Sequence, residues 1–116
     1  MALPPQAHVL RIYIGENIRH GPLRVYEALI YRARMMNMAG ATILKSHIGF
    51  GHAETSGARS YAISADLPIL IEIVDTPDNI LNFVPVAKEL LKNRGLITLH
   101  EVNVLHQGSD TSSSTS

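Results

Sequence analysis

GATILKSHIGFGH, residues 40–52, decides how the rest of the chain is read. It begins as a strand and stops at Gly49-Phe50-Gly51, two glycines around an aromatic, ahead of a small polar run from Ala53 to Arg59. Glycines at a strand end let backbone N–H groups come close to a ligand, because no side chain stands in the way. The same pair also suits an ordinary turn or bulge. Its weight comes from its place among the other elements.

Upstream, Val9 to Ile14 alternates, with Leu10, Ile12 and Ile14 facing one way and Val9, Arg11 and Tyr13 the other, as a strand with two different faces requires. Gly15 to Gly21 reads as a polar connector, and Pro22 suits the first residue of a helix, where its missing N–H has no partner anyway. Leu23, Tyr26, Ile30 and Ala33 recur at helical spacing, with Arg24, Glu27 and Arg34 off the stripe, which predicts a first helix from Pro22 to about Met38. Downstream, the β-branched run Ile69 to Val74 reads as a strand. Asp75-Thr76-Pro77-Asp78 then combines a capping side chain, a first-turn proline and an acid at the positive end of the dipole. The helix that follows buries Ile80, Phe83, Val84, Ala87, Leu90 and Leu91. Lys88, Lys92 and Arg94 suit its C-terminal end, Gly95 is expected to stop it, and Pro85 is expected to kink it. Leu96 to Leu105 reads as the last strand.

This order, β-α-β-β-α-β, predicts an α+β fold of the ferredoxin-like split β-α-β kind, a four-stranded antiparallel sheet with both helices on one face. A single domain over residues 1–107 is expected, followed by a flexible Ser/Thr-rich tail, 108–116, that has nothing to bury. The helix-free face carries Val9, Arg11, Tyr13 and one of two sets from the second strand, Lys45/His47 or Leu44/Ser46/Ile48. Such a half-apolar face calls for a cover, and another copy of the chain is the expected one. Arg11 and Glu72 fall on adjacent strands and read as a structural ion pair.

Composition narrows the function classes. The chain has 116 residues, 46% of them hydrophobic, which suits one core and leaves no room for two. Its formal net charge is +0, so nothing in the bulk electrostatics calls for nucleic acid or an acidic membrane. Cysteine is absent, which removes disulfides, thiolate catalysis and Cys-ligated metals together. Met1 to Gln6 has neither a long apolar core nor a positive lead, so a cytoplasmic protein without membrane insertion is expected.

The element order, with Gly40-Ala41-Thr42, Gly49-Phe50-Gly51 and Ile71-Glu72-Ile73-Val74, resembles the PII-like signalling proteins. Leu10 to Glu16, His20 to Leu23 and Ser64 to Pro68 resemble more particularly the bacterial PII-like family catalogued as domain-of-unknown-function family 190. That resemblance implies a cytoplasmic homotrimer that is a signal-transduction protein and no enzyme. It also implies three inter-subunit clefts that bind an adenine nucleotide, and a loop between the second and third strands that contacts a target. Gly49, Phe50 and Gly51 match the loop base, and His52 stands where PII proteins have a phosphate-reaching arginine. Lys92, Arg94 and Gly95 stand where a neighbouring subunit's helix end would face that base. PII proteins also carry a glycine- and lysine-containing phosphate loop and terminal arginines, for which this chain has only Asn93-Arg94-Gly95-Leu96 and Val104-Leu105-His106. The departures point to AMP or ADP rather than ATP with a metal, and to no 2-oxoglutarate response. A membrane transporter of a small anion, bicarbonate or fluoride, is the partner the resemblance implies.

Arg59 is the one cation between Ala53 and Tyr61 and the candidate there for an anionic ligand or target. The run Ala53 to Ser60 holds no apolar side chain larger than alanine and is expected to be a mobile effector loop. The six histidines, with His47 and His52 nearest in sequence, show neither helical i,i+4 nor H-x-H spacing and read as surface or interface residues. A CutA-like metal-binding or structural trimer without nucleotide is the alternative. Ser64-Ala65-Asp66 reads as a turn into the third strand rather than as a hydrolase set.

Overall fold

The computed structural model describes residues 2–46 and 67–108. Strand β1 (Gln6–Gly15) is followed by a small hairpin of β2 (Arg19–His20) and β3 (Leu23–Arg24), then helix α1 (Val25–Met35), β4 (Ala41–Lys45), β5 (Pro68–Asp75), α2 (Pro77–Leu91) and β6 (Leu96–Asn103). The main sheet has the order β4-β5-β1-β6 with every described pairing antiparallel. This is the ferredoxin-like arrangement with one hairpin added. β1 lies inside the sheet, with Ile12 opposite Ile71 on one side and Ile97 on the other.

Alternation sends Leu10, Ile12, Ile14, Ile69, Ile71 and Ile73 to one face, where they are buried against both helices. From α1 come Val25, Tyr26, Ala28, Leu29 and Ala33, and from α2 Ile80, Phe83, Ala87, Leu90 and Leu91. Val84 is half-buried at the margin of this cluster. On the opposite face Arg11 Nε donates to Glu72 Oε2 at 2.8 Å, which is the ion pair expected from the sequence. That hydrogen bond raises the Arg11 guanidinium pKa above its ordinary value.

Three local expectations are corrected. The first helix starts at Val25, not Pro22, because Gly21-Pro22 forms the two-residue turn of the β2–β3 hairpin and leaves Leu23 exposed. Gly21 has φ +63°, and a proline at the next position, with its φ held negative, makes this a type II′ turn, the hand that suits a twisted hairpin. Helix α1 is also shorter at its far end, closing at Met35. Pro85 lies inside α2, which is continuous from Pro77 to Leu91. Pro85 and Leu81 are both exposed, so the carbonyl that loses its donor lies on the solvent side, where water can satisfy it. Last, β6 ends at Asn103 rather than Leu105, and beyond it Val104 N–H donates to Pro5 C=O at 2.7 Å.

The start of α2 is fixed by two neighbours with different tasks. Thr76 caps the helix, its Oγ1 accepting from Asn79 N–H at 3.1 Å. Asp75 is fully buried; its Oδ1 accepts from Thr76 N–H at 2.7 Å and Asn79 Nδ2 at 2.9 Å, and its Oδ2 from Ala39 N–H at 2.6 Å. One carboxylate thus ties the end of β5, the first turn of α2 and the segment leading into β4. Truncation would leave three donors without an acceptor, at about 1–3 kcal/mol for each that water cannot reach. Asp75→Ala is expected to lower the unfolding free energy by about 3 kcal/mol in urea denaturation, against less than about 1 kcal/mol for the exposed Asp78→Ala.

Candidate functional site

The facing ends of β4 and β5, on either side of residues 47–66, form a neck. Ser46 N–H donates to Pro68 C=O at 3.1 Å, and Glu16 N–H, just past β1, donates to Leu67 C=O at 2.8 Å. Glu16 also accepts from Lys45 Nζ at 3.4 Å, and the same ammonium lies 5.5 Å from the centre of the Tyr26 ring. The Glu16 hydrogen bond, with the field of Tyr26, raises the Lys45 pKa above 10.5. Lys45 therefore projects to the helix side of the sheet, toward Tyr26 of α1. The sequence-derived site residues Gly49, Phe50, Gly51, His52 and Arg59, the Ala53 to Ser60 loop, and the tail from Ser109 on lie outside the described residues.

Lys92, Arg94 and Gly95 are described, and they meet at the C-terminal end of α2. The helix ends at Leu91, four residues before the glycine expected to stop it, and Lys92 takes φ +58° in its place. Arg94 performs the closure: its Nε donates to Leu91 C=O at 3.0 Å, Nη2 to Leu90 C=O at 3.3 Å and Nη1 to Arg19 C=O at 3.2 Å. A guanidinium on the last carbonyls does the work of a glycine cap and complements the negative end of the dipole. Gly95 has φ +75°, and a Cβ there would lie 2.7 Å from Tyr13 C=O and 3.3 Å from Leu91 Cδ2. Its identity is therefore set by the approach of α2 to β1, whatever binds nearby.

Leu96 pairs with Tyr13, and Lys45 with Ile69, so this helix end and the neck occupy the same end of the sheet. They sit on opposite edges, three strand intervals or roughly 14 Å apart. The helix-free face between them is organised in rows. Leu44, Leu70, Tyr13 and Leu96 form an apolar row across all four strands, with Leu44 and Leu96 each 56% exposed. Thr42, Glu72, Arg11 and Thr98 form a polar row beside it. The register thus selects the Leu44/Ser46 set for this face and gives Lys45 to the other.

Of the described histidines, His20, His100 and His106 are exposed, and His8 Nε2 lies 3.9 Å from Glu101 Oε2. Among the described residues no three His, Asp or Glu side chains cluster as a metal set would require. A cleft of about 380 Å³, lined by His8, Pro77, Glu101 and Asn103 among others, lies at the opposite end of the sheet and contains none of the candidate nucleotide residues. Among the described residues no helix is long and apolar enough to cross a membrane.

The fold defined by this sheet and its two helices is that of PII-like proteins. A nitrogen regulatory PII-like protein from Thiomonas intermedia K12, CPII, solved with ADP, AMP and bicarbonate, superposes with TM-score 0.62 at 14% identity over 85% of this chain and 88% of its own. GlnK of B. subtilis in complex with ATP gives TM-score 0.51 at 18% identity, over 87% and 85%. An enzyme shares the fold as well, a phage SAM lyase in complex with S-methyl-5'-thioadenosine, at TM-score 0.51 and 14% identity over 92% and 98%. The particular family is set by sequence: residues 7–104 match the DUF190 family, described as Uncharacterized ACR, and the chain belongs to it. A UPF0166 protein of Aquifex aeolicus is 30% identical over 84% of this chain and 92% of its own length.

Two outcomes follow from this geometry. Gly95→Ala is expected to destabilise by about 1–3 kcal/mol in denaturant titrations, since the added methyl meets backbone at a strained φ. Glu16→Gln is expected to lower the melting temperature near neutral pH. A lysine whose pKa is raised by folding contributes stability below its unfolded value and loses it as pH rises through the folded one. The gap between the wild-type and Glu16→Gln melting temperatures should therefore close above pH 10.5.

Proposed function

We propose that the protein is a PII-like regulator that forms a homotrimer and binds AMP or ADP in the cleft between subunits, and that it is not an enzyme. The observation that carries this reading is the split placement of the candidate residues: the loop neck on one edge of the sheet and Lys92, Arg94 and Gly95 on the other, at the same end. A single copy holds them roughly 14 Å apart. Copies arranged around a common axis, with their apolar rows inward, bring one subunit's neck toward its neighbour's helix end. The nucleotide sits beside Gly49 to His52, with Arg59 reaching in from the loop and the neighbour's Lys92 and Arg94 toward the phosphates. The PII-like protein of Thiomonas intermedia, solved with ADP and AMP, supports the choice of ligand. The loop from Ala53 to Ser60 reports occupancy to a cytoplasmic face of a partner, a transporter of a small anion such as bicarbonate or fluoride, without entering the membrane itself.

Light scattering coupled to gel filtration should give three times the mass of one chain. Leu44→Glu should release monomers, because it sets a charge at one end of the apolar row, on a side chain that is 56% exposed in the single copy. Calorimetry should show AMP and ADP binding to wild type, with Gly51→Val abolishing it, since a side chain there would fill the space a phosphate needs. A wild-type monomer, or no heat with either nucleotide, would overturn the reading. Stabilisation by a divalent metal alone would instead favour the CutA-like alternative.

A further inference from the structure

The β2–β3 hairpin gathers positive charge that no described carboxylate answers. Arg19 and Arg24 are direct cross-strand partners. Val25 N–H donates to Ile18 C=O at 2.8 Å, so the rung one step out is hydrogen-bonded and the arginine rung is not. In an antiparallel ribbon such a rung brings its two side chains closest, on one face. Arg19 Nη1 donates to Pro22 C=O at 2.8 Å, and Arg24 Nε is buried with no hydrogen-bond partner among the described residues. Arg94 adds a third guanidinium against the same hairpin, 3.2 Å from Arg19 C=O, with three of its five N–H groups taken by carbonyls. The described ion pairs are His8–Glu101, Arg11–Glu72 and Lys45–Glu16, and none reaches these arginines. Of the nearest acids in sequence, Glu16 is held by Lys45, and Glu27 is exposed on α1. The chain as a whole carries formal charge +0, so the cluster is a local concentration and not part of a general excess.

Like charges on one rung repel, and a buried donor without an acceptor is costly. A single oxyanion relieves both. A phosphoryl group suits the arrangement better than a carboxylate, because it offers three terminal oxygens to three guanidinium groups that bind oxygens in pairs. We infer that Arg19 and Arg24, backed by Arg94, form a phosphoryl-binding site on the β2–β3 hairpin. That the phosphoryl group belongs to an adenine nucleotide rests on the reading of the inter-subunit cleft given above, to which Arg94 also belongs; the oxyanion chemistry does not.

The test uses the full chain. Arginine Nε–H resonances of ¹⁵N-labelled wild type are followed during titration with inorganic phosphate, with chloride as control, and calorimetry with ADP, AMP and adenosine compares wild type with the double variant Arg19→Gln/Arg24→Gln. The Arg24 Nε–H signal should shift with phosphate and not with chloride. The double variant should bind ADP about tenfold or more weakly and adenosine unchanged. Its unliganded melting temperature should not fall, since a repulsion has been removed; a drop would mark the arginines as structural and overturn the site. Should the double variant fail to fold, the wild-type titration and Arg19→Gln alone, at an exposed position, still decide. Nucleotides that bind wild type and variant equally well, with no Arg24 shift, would overturn this inference and leave the cleft reading standing. Phosphate that shifts Arg24 while no nucleotide or adenosine binds would do the reverse.

Discussion

Strand β1 is the constraint on which the rest of the molecule depends. It is paired on both sides with strands from the second half of the chain, so its alternation is imposed on the whole sheet. Leu10, Ile12 and Ile14 have to meet both helices, and that requirement sends Arg11 and Tyr13 to the other face. A slip of one residue would place the Arg11 guanidinium in the core and the isoleucines in water, so the register is strongly specified. The apolar and polar rows of the helix-free face follow as by-products of core formation.

The end of the sheet that carries the candidate site is built from the residues that finish its elements. Arg94 completes the hydrogen bonding of the α2 carbonyls and in the same act anchors the hairpin that bears Arg19 and Arg24. Glu16 finishes β1, accepts from Lys45 and donates its N–H to Leu67. Groups that must be satisfied for the fold to close are thus the ones that position charge, and the geometry there is as rigid as the helix end and strand ends that supply it.

Much of this was legible from the residues. The alternation of β1, the short β-branched run of β5 and the Thr76-Pro77 cap each have one physical reading, and the order of elements follows from them. What misled was Gly21-Pro22. A proline after a polar connector is as good a sign of a first helical turn as of a hairpin turn, and only Leu23, exposed where a helical stripe would bury it, separates the two. The error hid the Arg19–Arg24 rung, because cross-strand neighbours are invisible once a helix is assumed. Asp75 was hidden for another reason: it reads as part of a cap, and its bond to Ala39 N–H spans a separation that no local pattern encodes. Lys92, Arg94 and Gly95 were picked out by their likeness to a family, and the geometry adds that two of the three have structural tasks of their own.

The bond from Ser46 N–H to Pro68 C=O closes a ring on everything between them, so the sheet senses where residues 47–66 begin and end but not how many there are. Loop-closure entropy grows only with the logarithm of length, and a doubling costs about 0.6 kcal/mol. A change in the number or chemistry of the residues between these two anchors is therefore compatible with the same scaffold. Divergence of sequence between these two anchor points needs no divergence of fold.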